Sequence, residues 1–464
     1  MASESKRARM APVRNLRKTF LYWAIAVFVV KLLIIFNIQG GNIEISGHTF
    51  SLDGVWLGAD GENYLKGYEA LSREGLLSKD GILNYWPAGY PLVILFFSLL
   101  GKSWVLTTLS IVQSLIFSYA AYFFATELLR TKLKKAAYLV LLMILLNPTL
   151  SLSSNVIGYE SLTASGLLIC IGLIVKSFVA QDDKKFFKYL MISSIIFGLL
   201  SSIQPRLILA GLVINIMWVI VWKGIRASAL IIILSVTVTL FFPATLIYRN
   251  NQAIGINSIS TNLGVTMNIG AGDYATGGYM TKGFGVPCSL AGTESERDIQ
   301  TVKCVFSWYL ENPNKALSLF YNKTVYFWSP WINNGFAGDV ITGTMFRNPW
   351  LKISPLTSIA KNEDGANLIL SPVGKTLSWI WLIGGLALLF YGYFTLWRQN
   401  SLERFIGNLA MVAVTSNWFI TLLTIGDHRF RVPIMGLSLF LQAIGLKTLF
   451  NRGKAPIVDG PSLR

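Results

Sequence analysis

The residues able to do chemistry gather in three places. Asp60 and Glu62 stand in Ala59-Asp60-Gly61-Glu62-Asn63-Tyr64, with Tyr85-Trp86-Pro87-Ala88-Gly89-Tyr90-Pro91 following, just past the first membrane-length apolar run. Glu160 opens a later apolar run, and Asp427-His428-Arg429-Phe430-Arg431 precedes the last one. Carboxylates beside a membrane surface suit transfer of a sugar from a polyprenyl phosphate to a hydroxyl. An aspartate can take the acceptor's proton as the anomeric carbon is attacked. Cations can stabilise the departing phosphate. Asp60 could supply the first; Arg206, Arg249, His428, Arg429 or Arg431 could supply the second. Such a donor carries its own leaving group, so no nucleotide is needed, and no G-x-x-x-x-G-K-[ST] loop is present.

Other chemistries find little footing. The two histidines, His48 and His428, are too few for a His-rich zinc site and too far apart in the chain to suggest a Ser-His-Asp triad. Asp60 and Glu62 could together hold a divalent cation through oxygen ligands, although surface acids are more often solvated. Asp60 could equally be the N-cap of the helix that follows, with Glu62 in its first turn. Glu160 could do no more than cap its span. Tyr64 and Tyr90 are candidates to face substrate, and Tyr90 with Trp86 could instead be interfacial belt aromatics.

The elements that must position these residues are membrane helices. The chain has 464 residues, 53% hydrophobic and 14% charged, with a mean hydropathy of +0.53. Soluble domains carry about a quarter charged residues, so this is an integral membrane protein. The net charge of +17 is spread over short tails and loops between apolar runs, a topology signal rather than a nucleic-acid patch. Ten runs are long enough to span: 20–38, 103–128, 136–153, 159–178, 188–203, 205–222, 228–248, 376–397, 405–424 and 432–450. The first follows a basic tail (Lys6, Arg7, Arg9, Arg14, Arg17, Lys18) and reads as a retained signal anchor. The run 90–101 reads as a juxtamembrane helix.

Basic segments at Arg130–Lys135, Lys184–Lys188, Lys223–Arg226, Arg398–Arg404 and Arg452–Lys454 fall on the side of the N-terminal tail, which makes both termini cytoplasmic. The chain then divides into a tail (1–19), an N-terminal transmembrane catalytic module (20–248) with its first outer loop (39–90), a large outer loop (249–375), C-terminal helices (376–450) and a second tail (451–464). The first loop holds seven acids against three bases, and Tyr64, Tyr68 and Leu71 predict an amphipathic helix lying on the membrane. Helices are expected near 294–312 and 315–329. Cys170 belongs to an apolar helix, while Cys288 and Cys304 share one polar loop and are either a disulfide or two free thiols.

Intramembrane ionisable residues are costly and warrant a functional hypothesis. Those considered, Glu160, Arg206, Arg249, Asp427, His428, Arg429 and Arg431, all fall near outer helix ends, with none at mid-membrane. A coupled transporter would place acids or broken helices near the midplane. The distribution favours an enzyme over a lipid-linked sugar flippase or exporter, and over an accessory subunit that presents lipid carrier.

Four segments resemble the GT-C superfamily of polyprenyl-phosphate-sugar-dependent glycosyltransferases, in its protein O-mannosyltransferase, lipid A aminoarabinose and galacturonosyl transferase-like branch. They are Asp60-x-x-x-Tyr64 with Pro87-Ala88-Gly89-Tyr90-Pro91; Asn147-Pro148 with Gly158-Tyr159-Glu160-Ser161; Asn262-Leu263-Gly264, Asn268-Ile269-Gly270 and Ala275-Thr276-Gly277-Gly278-Tyr279; and Gly426-Asp427-His428-Arg429-Phe430-Arg431-Val432-Pro433. They bracket residues 20 to 450 in the family's order. The resemblance implies a polytopic helical membrane fold with an outward-facing cavity, an inverting transfer, Asp60 as the catalytic carboxylate and Glu160 as a second acid. It also implies a polyprenyl-phosphate sugar donor, a glycan, lipid or protein acceptor, and a bacterial inner-membrane location. This chain departs from the family pattern at Tyr85-Trp86, Gly270-Ala271 and Gln204-Pro205-Arg206.

Overall fold

The structure is a computed structural model that describes residues 2–58, 60–225, 228–278, 285–328, 372–399 and 402–451. Ala59, Arg226, residues 279–284 and 329–371 of the large loop, and the Arg452–Lys454 segment lie outside the described residues. All ten apolar runs are helical. Among the described residues, eight helices are long and apolar enough to cross a membrane. They are α1 (Ala2–Asn37), α4 (Val105–Leu128), α7 (Glu160–Ala180), α8 (Asp183–Ile203), α10 (Ala229–Ile254), α14 (Pro372–Trp397), α15 (Leu402–Leu423) and α16 (Val432–Asn451).

The other two runs differ from straight spans. Run 136–153 forms α5 (Lys134–Leu146) and α6 (Pro148–Leu152), bent by 57°. Pro148 lacks the N–H that would continue the first helix, and the Asn147 side chain restarts the second by accepting from Leu150 N at 2.9 Å. Run 205–222 gives the 17-residue α9 (Leu207–Lys223). The chain is thus a polytopic α-helical membrane protein.

α7 and α16 are the central helices, each with 72% of its apolar window buried, against 22–28% for α1, α10 and α14. α7 packs between α4, α8 and α16, and α16 packs on α14, α5 and α7. Glycines let these backbones approach: a side chain on Gly392 or Gly445 would strike the partner helix's backbone at Leu441 or Leu388.

Two outer loops have cores of their own. In the first, β1 (Asn42–Ile45) pairs antiparallel with β2 (His48–Ser51), and β3 (Trp56–Leu57) pairs parallel with β4 (Val156–Ile157). The helix α2 (Gly61–Glu74) follows β3 and packs on α3 (Gly89–Ser98), the expected short apolar helix. Tyr64, Tyr68 and Leu71 do line one face of α2, but that face is buried in protein, against Tyr90, Ile94 and Leu106 for the tyrosines and Leu83 and Ala88 for Leu71. The apolar stripe therefore docks the helix on its neighbours instead of laying it on lipid. In the large loop, α11 (Leu263–Ile269), α12 (Glu294–Glu311) and α13 (Pro313–Trp328) close over Met267, Val305, Tyr309 and Leu319. The last two are the helices expected there, and Thr293 with Glu296 caps α12 reciprocally. Cys288 and Cys304 are joined by a disulfide.

One expectation about charges fails. Lys31 lies well inside α1 and is 1% exposed, so the ionisable residues are not confined to helix ends. Its ammonium sits at the far end of α6, past the bend, donating to Ser151 O at 2.6 Å and Ser154 Oγ at 2.7 Å. A carbonyl at the end of α6 thus accepts from the lysine and from Ser154 Oγ (3.0 Å).

Candidate active site

The shortest sheet in the molecule sets the site. Leu57 pairs with Ile157 in the parallel β3–β4 ladder. Asp60 and Glu160 each lie three residues beyond that pair, at the heads of α2 and α7, so equal stretches of chain carry the two acids to the same place. Gly61 permits the approach: a Cβ there would press on Leu57 and on Ile157 O at 3.2 Å.

Arg429 enters from the other end of the sequence. It belongs to a 3-10 turn, His428–Arg431, that leads into α16, and Asp427 fixes the turn by accepting from Arg429 N at 3.0 Å. Its guanidinium reaches Asp60 Oδ2 at 2.8 Å (Nη1) and Glu160 Oε1 at 3.9 Å (Nε). The Asp60 contact has ion-pair distance without hydrogen-bond alignment, so Asp60 Oδ2 has no directed donor among the described residues. Side-chain exposures of 13% for Asp60, 10% for Arg429 and 3% for Glu160 make this a sheltered charge cluster. Two carboxylates held this close would repel without the cation between them.

The capping alternative for Asp60 does not hold, since its side chain makes no cap hydrogen bond to α2. It turns to Arg429 instead. Phe430 lies under two guanidiniums, Arg206 at 4.0 Å from the ring centroid and Arg429 at 4.9 Å. Arg206 Nη1 is buried and has no hydrogen-bond partner among the described residues. A desolvated guanidinium nitrogen with nothing to donate to suits an anion.

Tyrosines line the acid side. The Tyr64 ring lies 4.9 Å from that of Tyr90 and 6.2 Å from that of Trp86. Burial, helped by the Asp60 carboxylate, pushes the Tyr64 phenol well above its ordinary value, so it stays a neutral hydroxyl. Tyr90 is fully buried. It accepts from Gly158 N at 2.9 Å and donates to Gln113 Oε1 at 3.2 Å, which makes it a support for the turn before Glu160. Gly158 is needed as well, because a Cβ there would collide with Glu160 Oε2.

The remaining candidates stand apart from the acid pair. Arg249 stitches the end of α10 to the first loop, donating to Leu76 O (2.9 Å), Ser78 O and Asn250 Oδ1 (2.8 Å). Arg431 donates to Trp328 O at 2.6 Å, which docks α13 against the turn. His428 is 1% exposed, with Nδ1 at 3.6 Å from Asp427 Oδ1. Glu62 is half exposed and pairs with Lys66 at 2.7 Å, one turn on. Among the described residues no three His, Cys, Asp or Glu side chains gather as metal ligands. Asp60 turns to Arg429 and Glu62 to Lys66, so the arrangement does not bring these two acids together around a divalent ion.

The glycine-rich third segment lies behind the Arg429 turn, where Gly277 O accepts from Gly426 N at 2.8 Å. Several site residues escaped the sequence reading. Lys31 and Gln113 were visible as polar residues inside apolar runs; Phe430 and Lys323 carried no such signal.

No family model and no curated protein sequence matches the chain. Solved structures of an oligosaccharyltransferase from Archaeoglobus fulgidus follow a similar backbone path. AglB in complex with an inhibitory peptide and a dolichol-phosphate shares 12% identity at a TM-score of 0.43, over 93% of this chain and 51% of that one. The form tethered to an acceptor peptide by a disulfide shares 14% at 0.45, over 93% and 50%, and the apo form 12% at 0.45, over 93% and 51%. The chain thus spans about half the length of these structures. The likeness is loose, and the chemistry of the site rests on this chain's own residues.

Proposed function

We propose that the chain is a membrane glycosyltransferase of the GT-C type, moving a sugar from a polyprenyl-phosphate donor to a glycan, lipid or protein acceptor. The observation that carries this is the in-register pair Asp60 and Glu160 on either side of Arg429, beside the partnerless Arg206 nitrogen. Asp60 takes the acceptor hydroxyl proton while that oxygen bonds to the anomeric carbon from the face opposite the phosphate. The anomeric C–O bond breaks with its electrons passing to the phosphate, and the configuration inverts. Arg206 and Arg429 stabilise the polyprenyl phosphate released. Glu160 holds Arg429 in place between the two carboxylates, and Tyr64 offers a neutral hydroxyl to the sugar.

The reaction is assigned to the extracytoplasmic face of a bacterial inner membrane, with both termini cytoplasmic. The basic short segments support that orientation, as does a disulfide in the large loop, since disulfides persist in oxidising compartments. The test is cell-free incubation of the lipid-reconstituted protein with a panel of radiolabelled polyprenyl-phosphate sugars and a membrane extract as acceptor. Label passing to an acceptor identifies the donor and supports transfer. Protein-dependent movement of the carrier across the bilayer with no label transferred would overturn the reading in favour of a flippase.

A further inference from the structure

Glu160 is held by a buried polar chain that the transfer step itself does not use. The segment from Ser151 to Gly158 leads into Glu160, and side chains from three other helices take up its backbone groups in turn. Lys31 of α1 donates to Ser151 O (2.6 Å) and Ser154 Oγ (2.7 Å), with its ammonium 4.0 Å from the Phe117 ring centroid. Gln113 of α4 donates to Ser154 O (3.2 Å) and Val156 O (3.3 Å), and Ser114 Oγ meets Ser154 Oγ at 2.9 Å. Tyr90 of α3 donates to Gln113 Oε1 and accepts from Gly158 N. Lys31, Tyr90, Gln113 and Ser154 are all at most 1% exposed.

A lysine in the interior of a membrane helix is costly, and an apolar residue of similar length would fill its space. The cost calls for a compensating role, and the hydrogen bonds run from Lys31 through Ser154 and Gln113 to Tyr90 and Gly158. Alternate backbone groups at 154, 156 and 158 are each pinned, ending two residues short of the Glu160 carboxylate. β4 pairs with β3 along this stretch, while Gln113 and Tyr90 bind Ser154 O, Val156 O and Gly158 N, where no further strand pairs among the described residues. We propose that Lys31, Gln113 and Tyr90 act as one positioning relay that sets Glu160 against Arg429. None of the three touches the reacting atoms. The kinetic part of this proposal rests on the transfer reading above; the structural part does not.

The test is hydrogen exchange across Val156–Glu160 in the lipid-reconstituted full chain, comparing wild type with Tyr90→Phe and Lys31→Met. Lys315→Ala, which breaks an exposed pair with Asp273 in the large loop, serves as control. Tyr90→Phe should speed exchange at Gly158 about fivefold, the factor that one net hydrogen bond carries. Lys31→Met should also speed it, although Lys31 does not contact Gly158, and Lys315→Ala should not. In the transfer assay both variants should lower kcat while leaving donor KM unchanged. Wild-type exchange at Gly158 in Lys31→Met would overturn the relay and leave Lys31 as a lock on the bent span alone. If Lys31→Met does not fold, Gln113→Leu takes its place with the same expected rise, and wild-type exchange there overturns the proposal equally. Faster exchange with no transfer from any donor would keep the relay and remove the transfer reading.

Discussion

Arg429 decides what the two acids can do, because it alone spans them. Remove it and two buried carboxylates face each other without a cation, a loss of the kind that costs roughly 3–5 kcal/mol. Arg429→Met should therefore lower thermal stability as well as transfer, whereas a residue that only bound substrate would spare stability. Glu160 depends on a smaller neighbour. A Cβ at Gly158 would occupy the place of Glu160 Oε2. Gly158→Ala should lower kcat with little change in stability, read by steady-state kinetics beside a melting curve. The chemical types at Asp60, Glu160 and Arg429 were legible in the sequence, as was their spread across three segments. That Arg429 would stand between the acids was not, since nothing local joins a turn before the last span to the heads of α2 and α7. Only the fold separates Arg249, committed to Leu76 O and Ser78 O, from Arg429.

The β3–β4 pair is the element that converts two distant loops into one site. Its two ladder positions, Trp56 with Val156 and Leu57 with Ile157, fix the acids in register across a separation of 100 residues. Nothing local announces such a short parallel bridge, since strands usually run about five or six residues, and so it was not legible in advance. The long membrane helices are the opposite case, with length and apolarity sufficient to place eight of them among the described residues. The bend in the α5–α6 pair was also readable from Asn147-Pro148, but a continuous apolar count passes over it. If the register matters, one alanine inserted between Ile157 and Gly158 should turn Glu160 by about 100° around its helix and abolish transfer. Circular dichroism should then report unchanged helix content; retained transfer would show that the bridge does not set the site.

At the scale of the whole molecule, the large loop docks behind the Arg429 turn. Lys323 of α13 is fully buried there, donating to Tyr309 Oη at 2.8 Å and to Leu422 O at 2.9 Å, just ahead of Gly426. Burial pulls its pKa down to about 7 from 10.5. Between those values the unfolded chain binds a proton that the folded one refuses, so stability falls as pH drops from 10.5 towards 7 and levels off below. Lys323→Met should flatten that slope in thermal unfolding followed between pH 7 and 10. Helices α12 and α13 of this loop were predictable from their own sequence, while their contact with a turn 100 residues on was not. The measurement that goes straight to the central claim is single-turnover transfer from the polyprenyl-phosphate donor by wild type and Asp60→Asn, with donor binding measured alongside. The account predicts that Asp60→Asn keeps donor affinity and loses about 10²–10⁴ in rate, the scale of a general base. Wild-type rate in that variant would contradict it, because the acid at the head of α2 would then have no part in moving the proton.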